Sequence, residues 1–85
     1  MLSSAARSAV LAQVHYYFSE TNLATDGFLR GVLEQGHGWV ALSLLLSFNR
    51  MRRMHLSAAE AVEALRTSEI LEVDEAGERV RRRAA

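Results

Sequence analysis

Eighty-five residues with 49% hydrophobic and 24% charged side chains describe one small globular domain, neither a disordered tail nor a membrane protein. The absence of cysteine excludes disulfide scaffolds, cysteine-based zinc sites and thiol chemistry, and it allows a reducing compartment; the absence of proline suits a mainly helical chain. The formal charge is zero, and all ten basic residues are arginine.

Ser3 or Ser4 is placed to cap a helix over residues 4–18. With Val10 at zero on a wheel of about 100° per residue, Val14, Phe18 and Leu11 fall on one side as the core stripe. Tyr17, Gln13 and Tyr16 follow at about −20°, −60° and −120°, a strip running from the core edge towards solvent. His15 falls on the solvent side. Residues 1–18 lack the charged start, apolar centre and cleavage site of a secretory signal.

Ser19 to Thr25 suits a tight turn or one helical turn. Asp26 is an N-cap for a helix over 27–35 with Phe28, Leu29, Val32 and Leu33 as its apolar set, and Gly36-His37-Gly38 ends it. Trp39-Val40 reads as a short extended piece. Leu42 to Phe48 and Asn49 to Met54 read as one or two short helices. Ser57 with Glu60 forms a capping box for a helix ending near Thr67. Ile70–Asp74 and Glu78–Arg82 read as two strands joined by a turn in which Gly77 supplies a positive φ. Helices, a short strand and a terminal hairpin come in the order of a winged helix. The fold expected is α+β and mainly helical.

The charge is patterned along the chain. Arg7 and Arg30 stand against Glu20, Asp26 and Glu34 before residue 50. Beyond it, arginines cluster at 50–53 and 79–83 and acids at 60–78. A binder of long duplexes is usually more basic, so a nucleic-acid role needs something besides bulk charge. Arg50, Arg52 and Arg53 could contact phosphates or simply form a solvated basic face. No histidine pair has metal-ligand spacing, none is flanked by a serine and an acid in a catalytic pattern, and no phosphate-cradling glycine loop is present. The expectation is a protein that is not an enzyme and uses no cofactor or metal. Most of the six aromatics serve a core equally well, but Tyr16 lies too far off the core stripe for packing alone.

The run Gln13-Val14-His15-Tyr16-Tyr17-Phe18-Ser19-Glu20-Thr21-Asn22-Leu23 resembles the start of the La motif, as does Asp26-Gly27-Phe28-Leu29-Arg30 after it. Gly38-Trp39-Val40 with Leu44 to Arg50 resembles the middle block of that family. Ala64 to Ser68 and Val80-Arg81-Arg82 resemble its end, so the resemblance spans residues 7–83. It implies a winged-helix-like domain with extra short helices and a small antiparallel sheet, which binds single-stranded RNA at its 3′ end. In genuine La proteins the ligand is the oligo-uridine tail left by RNA polymerase III.

Carried over residue by residue, the binding set is Gln13, Tyr16, Tyr17, Asp26, Phe28 and Phe48. All six keep the residue types of genuine La, and the stretch from Trp39 to Arg53 looks most like the nuclear branches. The departures are Leu56-Ser57-Ala58 in place of Thr-Thr-Asp, Gly27 where a bulkier residue is common, and a first helix poor in basic residues. The resemblance further implies a monomer, a nuclear location and a following RNA recognition motif, with this chain a fragment of something longer. The rival readings are a winged-helix duplex-DNA binder using residues 42–53, a domain preferring poly(A), and a protein-interaction module.

Overall fold

The computed structural model describes residues 2–84. Helix α1 spans Ser4–Tyr17, and the Ser3 hydroxyl accepts from the Ala6 amide at 3.1 Å to cap it. Two further helices follow on alternating caps. Ser19 caps α2 (Glu20–Thr25) through the Asn22 amide, and Asp26 caps α3 (Gly27–Gln35) through the Leu29 amide at 3.0 Å. Of the tight turn or helical turn expected over Ser19 to Thr25, the structure has the helical one, as a short helix of its own. Gly27 leaves the Asp26 cap intact.

The chain leaves α3 through His37 and Gly38, both at positive φ, with the Gly38 amide bonded to the Leu33 carbonyl at 2.7 Å. Gly36 is required here for space: a Cβ on it would lie 2.2 Å from the Trp39 carbonyl oxygen. Strand β1 is Val40–Ala41, one residue later than expected.

The stretch over 42–54 resolves into α4 (Leu42–Ser47) and the single turn α5 (Asn49–Arg52), separated by Phe48 in an extended conformation. His55 follows at φ 53 and breaks the chain before α6 (Ala58–Leu65). Ser57 and Glu60 form the capping box reciprocally at 3.1 and 3.0 Å, two orphan amides satisfied at once. Ser57 thus caps well without the usual Thr-Thr-Asp.

Strands β2 (Leu71–Val73) and β3 (Arg79–Arg82) form the hairpin, and β3 lies between β1 and β2 in an antiparallel sheet. Val80 faces both Val40 and Val73 in register. Gly77 holds φ 75 in the turn, as the sequence requires. Side chains from every layer meet in one core: Val10 and Val14 of α1, Leu29, Leu45, Met51, Leu65, Leu71 and Val80 are all at most 1% exposed. Each such aliphatic side chain stabilises the fold by about 1.5–3 kcal/mol. No helix of the described residues is long and apolar enough to cross a membrane.

On the outer side of the sheet Trp39 lies against two guanidiniums, Arg79 at 4.8 Å and Arg81 at 4.3 Å from the ring centroid. Arg79 also pairs with Asp74 at 3.0 Å, and Arg81 pairs with Glu72 across the strands. Arg82 donates to the Phe18 carbonyl and ties the last strand to the end of α1. These arginines, placed by the sequence on the last strand, are all engaged within the fold.

Candidate nucleic-acid interface

The last two turns of α1 carry the expected strip. Its inner member, Tyr17, is buried, and Phe48 approaches it edge-on at 5.1 Å between ring centroids with planes at 77°. The extended backbone at Phe48 makes this possible, because it swings the ring out of the α4–α5 path. Burial raises the Tyr17 hydroxyl above its ordinary value, against smaller opposing effects from the Gln13 amide and the Arg50 charge; the Asp26 charge adds to the rise. Four groups from α1, the α2–α3 junction and the α4–α5 segment, namely Gln13, Asp26, Phe48 and Arg50, therefore act on one ring.

Beside Tyr17 the surface opens. A cleft of about 330 Å³ is lined by Gln13, Tyr16 and Arg50. Tyr16 is 51% exposed, as its place off the core stripe requires. Phe28 is 64% exposed on the first turn of α3, two residues after Asp26. A phenylalanine and a tyrosine this open leave two aromatic rings available to a flat partner.

The Asp26 carboxylate has two partners inside the protein. Its Oδ1 accepts from the Leu29 amide at 3.0 Å, and its Oδ2 accepts from Asn22 Nδ2 at 3.4 Å. An ionised carboxylate offers about four acceptor positions, so capping α3 leaves room for hydroxyl donors. Capping and ligand binding are compatible in one residue.

Asn22 is the residue without an assigned role in the sequence reading. It is buried, and its Nδ2 also donates to the Tyr17 carbonyl at 2.9 Å. It thus links the backbone of the central tyrosine to the carboxylate of Asp26. The visible signal was an amide four residues before an acid at helical spacing.

The arginine cluster divides. Arg50 belongs to the Tyr16 cleft, whereas Arg52 and Arg53 line a separate cleft with Asn49 and His55. The other two histidines differ in setting. His37 is exposed in the turn after α3. His15, expected in solvent, is half-buried, with Nε2 2.9 Å from the Ser68 hydroxyl, because the segment between α6 and β2 folds over that side of α1. Among the described residues no group of three or more His, Cys, Asp or Glu side chains could hold a metal ion.

The La domain family model matches residues 10–67, which include all six residues of the expected binding set. La-related protein 7 of Danio rerio is 35% identical over 77 residues, covering 89% of this chain and 14% of the relative. La protein 2 of Arabidopsis thaliana is 40% identical over 86 residues, covering 86% of this chain and 22% of the relative. The chain thus spans well under a quarter of the length of these relatives. Among solved structures, a La autoantigen N-terminal domain superposes with a TM-score of 0.90 at 40% identity, covering 100% of this chain and 94% of that one. The fold is that of La motif structures, and this chain belongs to the La domain family, whose members are RNA-binding and in general non-enzymatic.

Proposed function

We propose that this domain binds the 3′ end of single-stranded RNA, preferring uridines and a free 3′-hydroxyl. The convergence on Tyr17 carries the reading: aromatic rings, an acceptor and an amide meet beside a cleft open to solvent. Tyr16, Phe28 and the Tyr17–Phe48 pair offer faces and edges for splayed bases, each stacked base worth about 1–3 kcal/mol. Asp26 accepts hydrogen bonds from the ribose hydroxyls of the last nucleotide, which selects RNA over DNA through the 2′-hydroxyl. A 3′-phosphate would set like charge against that carboxylate. Gln13 donates and accepts, as a uracil edge requires. Reading an end rather than a long backbone suits a chain of zero net charge.

In this reading the domain is a monomer and acts with an RNA recognition motif elsewhere in a longer protein. It protects and chaperones noncoding transcripts in the nucleus. The duplex-DNA reading gains no support from the helix before the hairpin, since α6 carries Glu60 and Glu63 and no cation, or from the hairpin turn with Asp74, Glu75 and Glu78. Helix α4, the start of the other candidate, buries Leu42 and Leu45 and is also uncharged.

The test is a fluorescence-anisotropy titration with short labelled RNAs. The expected order of affinity is uridine-ended RNA with a free hydroxyl first, then its adenine-ended, 3′-deoxy and 3′-phosphate counterparts. Equal affinity for the free and phosphorylated ends would sink the proposed role of Asp26.

A further inference from the structure

We propose that the cleft formed by Asn49, Arg52, Arg53 and His55 is a second binding site, which holds backbone phosphates of the same RNA strand upstream of its 3′ end. It rests on the 3′-end reading and adds to it a separate surface with a separate chemistry.

The cleft measures about 680 Å³, and Leu46 and Met51 contribute apolar walls. No acid lines it, and the sequence holds no acidic residue between Glu34 and Glu60. Glu60, the first acid after it, is engaged in the capping box through its Oε1. Positive charge here is therefore not neutralised by the protein.

Five of the ten arginines engage their guanidiniums within the fold. Arg30 donates to the Leu23 carbonyl, and Arg66 donates to the Asp74 carbonyl. Arg79 and Arg81 pair with acids, and Arg82 donates to Phe18. Arg52 and Arg53 are exposed, and within the described residues their guanidiniums make no hydrogen bond or ion pair. Two unspent planar forks on one rim, with a histidine and an amide beside them, match the oxygens of phosphodiesters.

The position follows from α5. It is a single turn, so Arg50 at the Tyr16 cleft and Arg52 with Arg53 at the second cleft sit on one element about 10 Å across. A strand anchored by its last nucleotides beside Tyr17 meets Arg50 and then passes over α5 to the pair. His55, three residues after α5, holds φ 53, a conformation uncommon outside glycine, and lines the same cleft.

The experiment compares the domain with its Arg52→Ala/Arg53→Ala variant on uridine RNAs of about four and about ten nucleotides, between about 50 and 200 mM salt. The wild type should bind the longer RNA more tightly. The variant should lose that gain by about tenfold, with the salt slope reduced by about 0.7 per cation removed, and bind the shorter RNA as the wild type does. An Arg52→Lys/Arg53→Lys variant should keep the salt slope, since the charge remains, but recover only part of the gain, since the planar forks are lost. The inference is overturned if the alanine variant binds both lengths like the wild type, if it weakens both equally, or if the wild type gains nothing from length.

A longer RNA with a 3′-phosphate separates this inference from the reading beneath it. Binding that ignores the end but needs the two arginines overturns the 3′-end reading and keeps the cleft; binding that needs the free end but not the arginines does the reverse. A duplex that competes better than the single strand also overturns the proposed path.

Discussion

The hairpin and the α1–α5 surface use similar residues to opposite ends. On the hairpin side a tryptophan is stacked by two arginines, and those arginines are paired with Asp74 and Glu72. Aromatic face, cation and acid are all consumed within the fold. On the α1–α5 side the aromatics Tyr16 and Phe28 are more than half exposed, and Arg50, Arg52 and Arg53 make no internal ion pair among the described residues. The lesson is that composition alone does not mark a binding surface. What marks it is aromatic and cationic groups whose partners the protein does not itself supply.

The sharpest way to break this contrast is at Asp26, which serves both fold and site. Asparagine is as good an N-cap as aspartate, so Asp26→Asn keeps the bond from the Leu29 amide and gives up only the long bond from Asn22, and the melting temperature should fall by no more than a few degrees. It removes the charge that strengthens hydrogen bonds from the terminal ribose, worth about 1.5–3 kcal/mol, so affinity for a free 3′ end should fall roughly tenfold to a hundredfold. Discrimination against a 3′-phosphate should shrink as well. Anisotropy and a thermal melt on the same sample decide it; a variant that loses stability but not affinity would make Asp26 a cap alone. Tyr16→Ala should cost about 1–3 kcal/mol of RNA binding and less than about 0.5 kcal/mol of stability, since the ring is solvent-facing.

The counterpart on the hairpin is Trp39. Trp39→Leu keeps apolar bulk but removes the face shared by Arg79 and Arg81. At about 0.5–1 kcal/mol per exposed cation–π contact, the loss should be about 1–2 kcal/mol of stability with no change in RNA affinity. Denaturant unfolding and an RNA titration measure the two sides. A marked loss of RNA binding in the folded variant would extend the binding surface onto the sheet and dissolve the contrast.

Much of this division is legible in the sequence alone. Local signals carried the capping box at Ser57 and Glu60, the Asp26 cap and the Gly77 turn, because each depends on residues within four positions of one another. The strip of Tyr16, Gln13 and Tyr17 followed from helical spacing. What failed to show was everything decided by distant chain. Arg82 reaches the Phe18 carbonyl across 64 positions, and His15 is covered by a segment 53 positions away. The extended residue Phe48 has no proline or glycine near it to announce the break. Its extended backbone brings the ring against Tyr17, and on the turn that follows, helical spacing turns Arg50 to one cleft and Arg52 with Arg53 to the other.

Acid titration probes how completely the hairpin satisfies itself. The Asp74 carboxylate accepts from the Glu78 and Arg79 amides at 2.7 and 3.0 Å and from Arg79 Nε at 3.0 Å. The Arg79 and Glu78 amides, and then the Arg79 side chain, pull it from 3.8 to about 2. A depressed carboxylate contributes stability that is fully present above its unfolded value and lost as pH falls through about 2. Thermal melts should show a decline below about pH 4 that is shallower in Asp74→Asn.

A smaller effect of opposite chemical sign belongs to His15. The Ser68 hydroxyl oxygen already accepts from the Ile70 and Leu71 amides at 3.1 and 3.0 Å. A hydroxyl has two acceptor positions, so its proton is left to donate to Nε2 of His15. The ring must then be neutral, with its own proton on Nδ1. Burial lowers the His15 value below 6.5, in the same direction. Protonation would place an N–H on Nε2, where an acceptor is needed, and would break the tie between α1 and the entry to β2. A histidine with a depressed folded value contributes stability that is fully present above its unfolded value and is lost as pH falls through the folded one. The melting temperature should therefore decline from about pH 7 to 5. In His15→Gln, whose amide oxygen can take the Ser68 proton at any pH, that decline should flatten. Exposed His37 and His55 remain in both proteins, so the difference between the two curves belongs to His15 alone, and curves that stay parallel would refute the assigned tautomer.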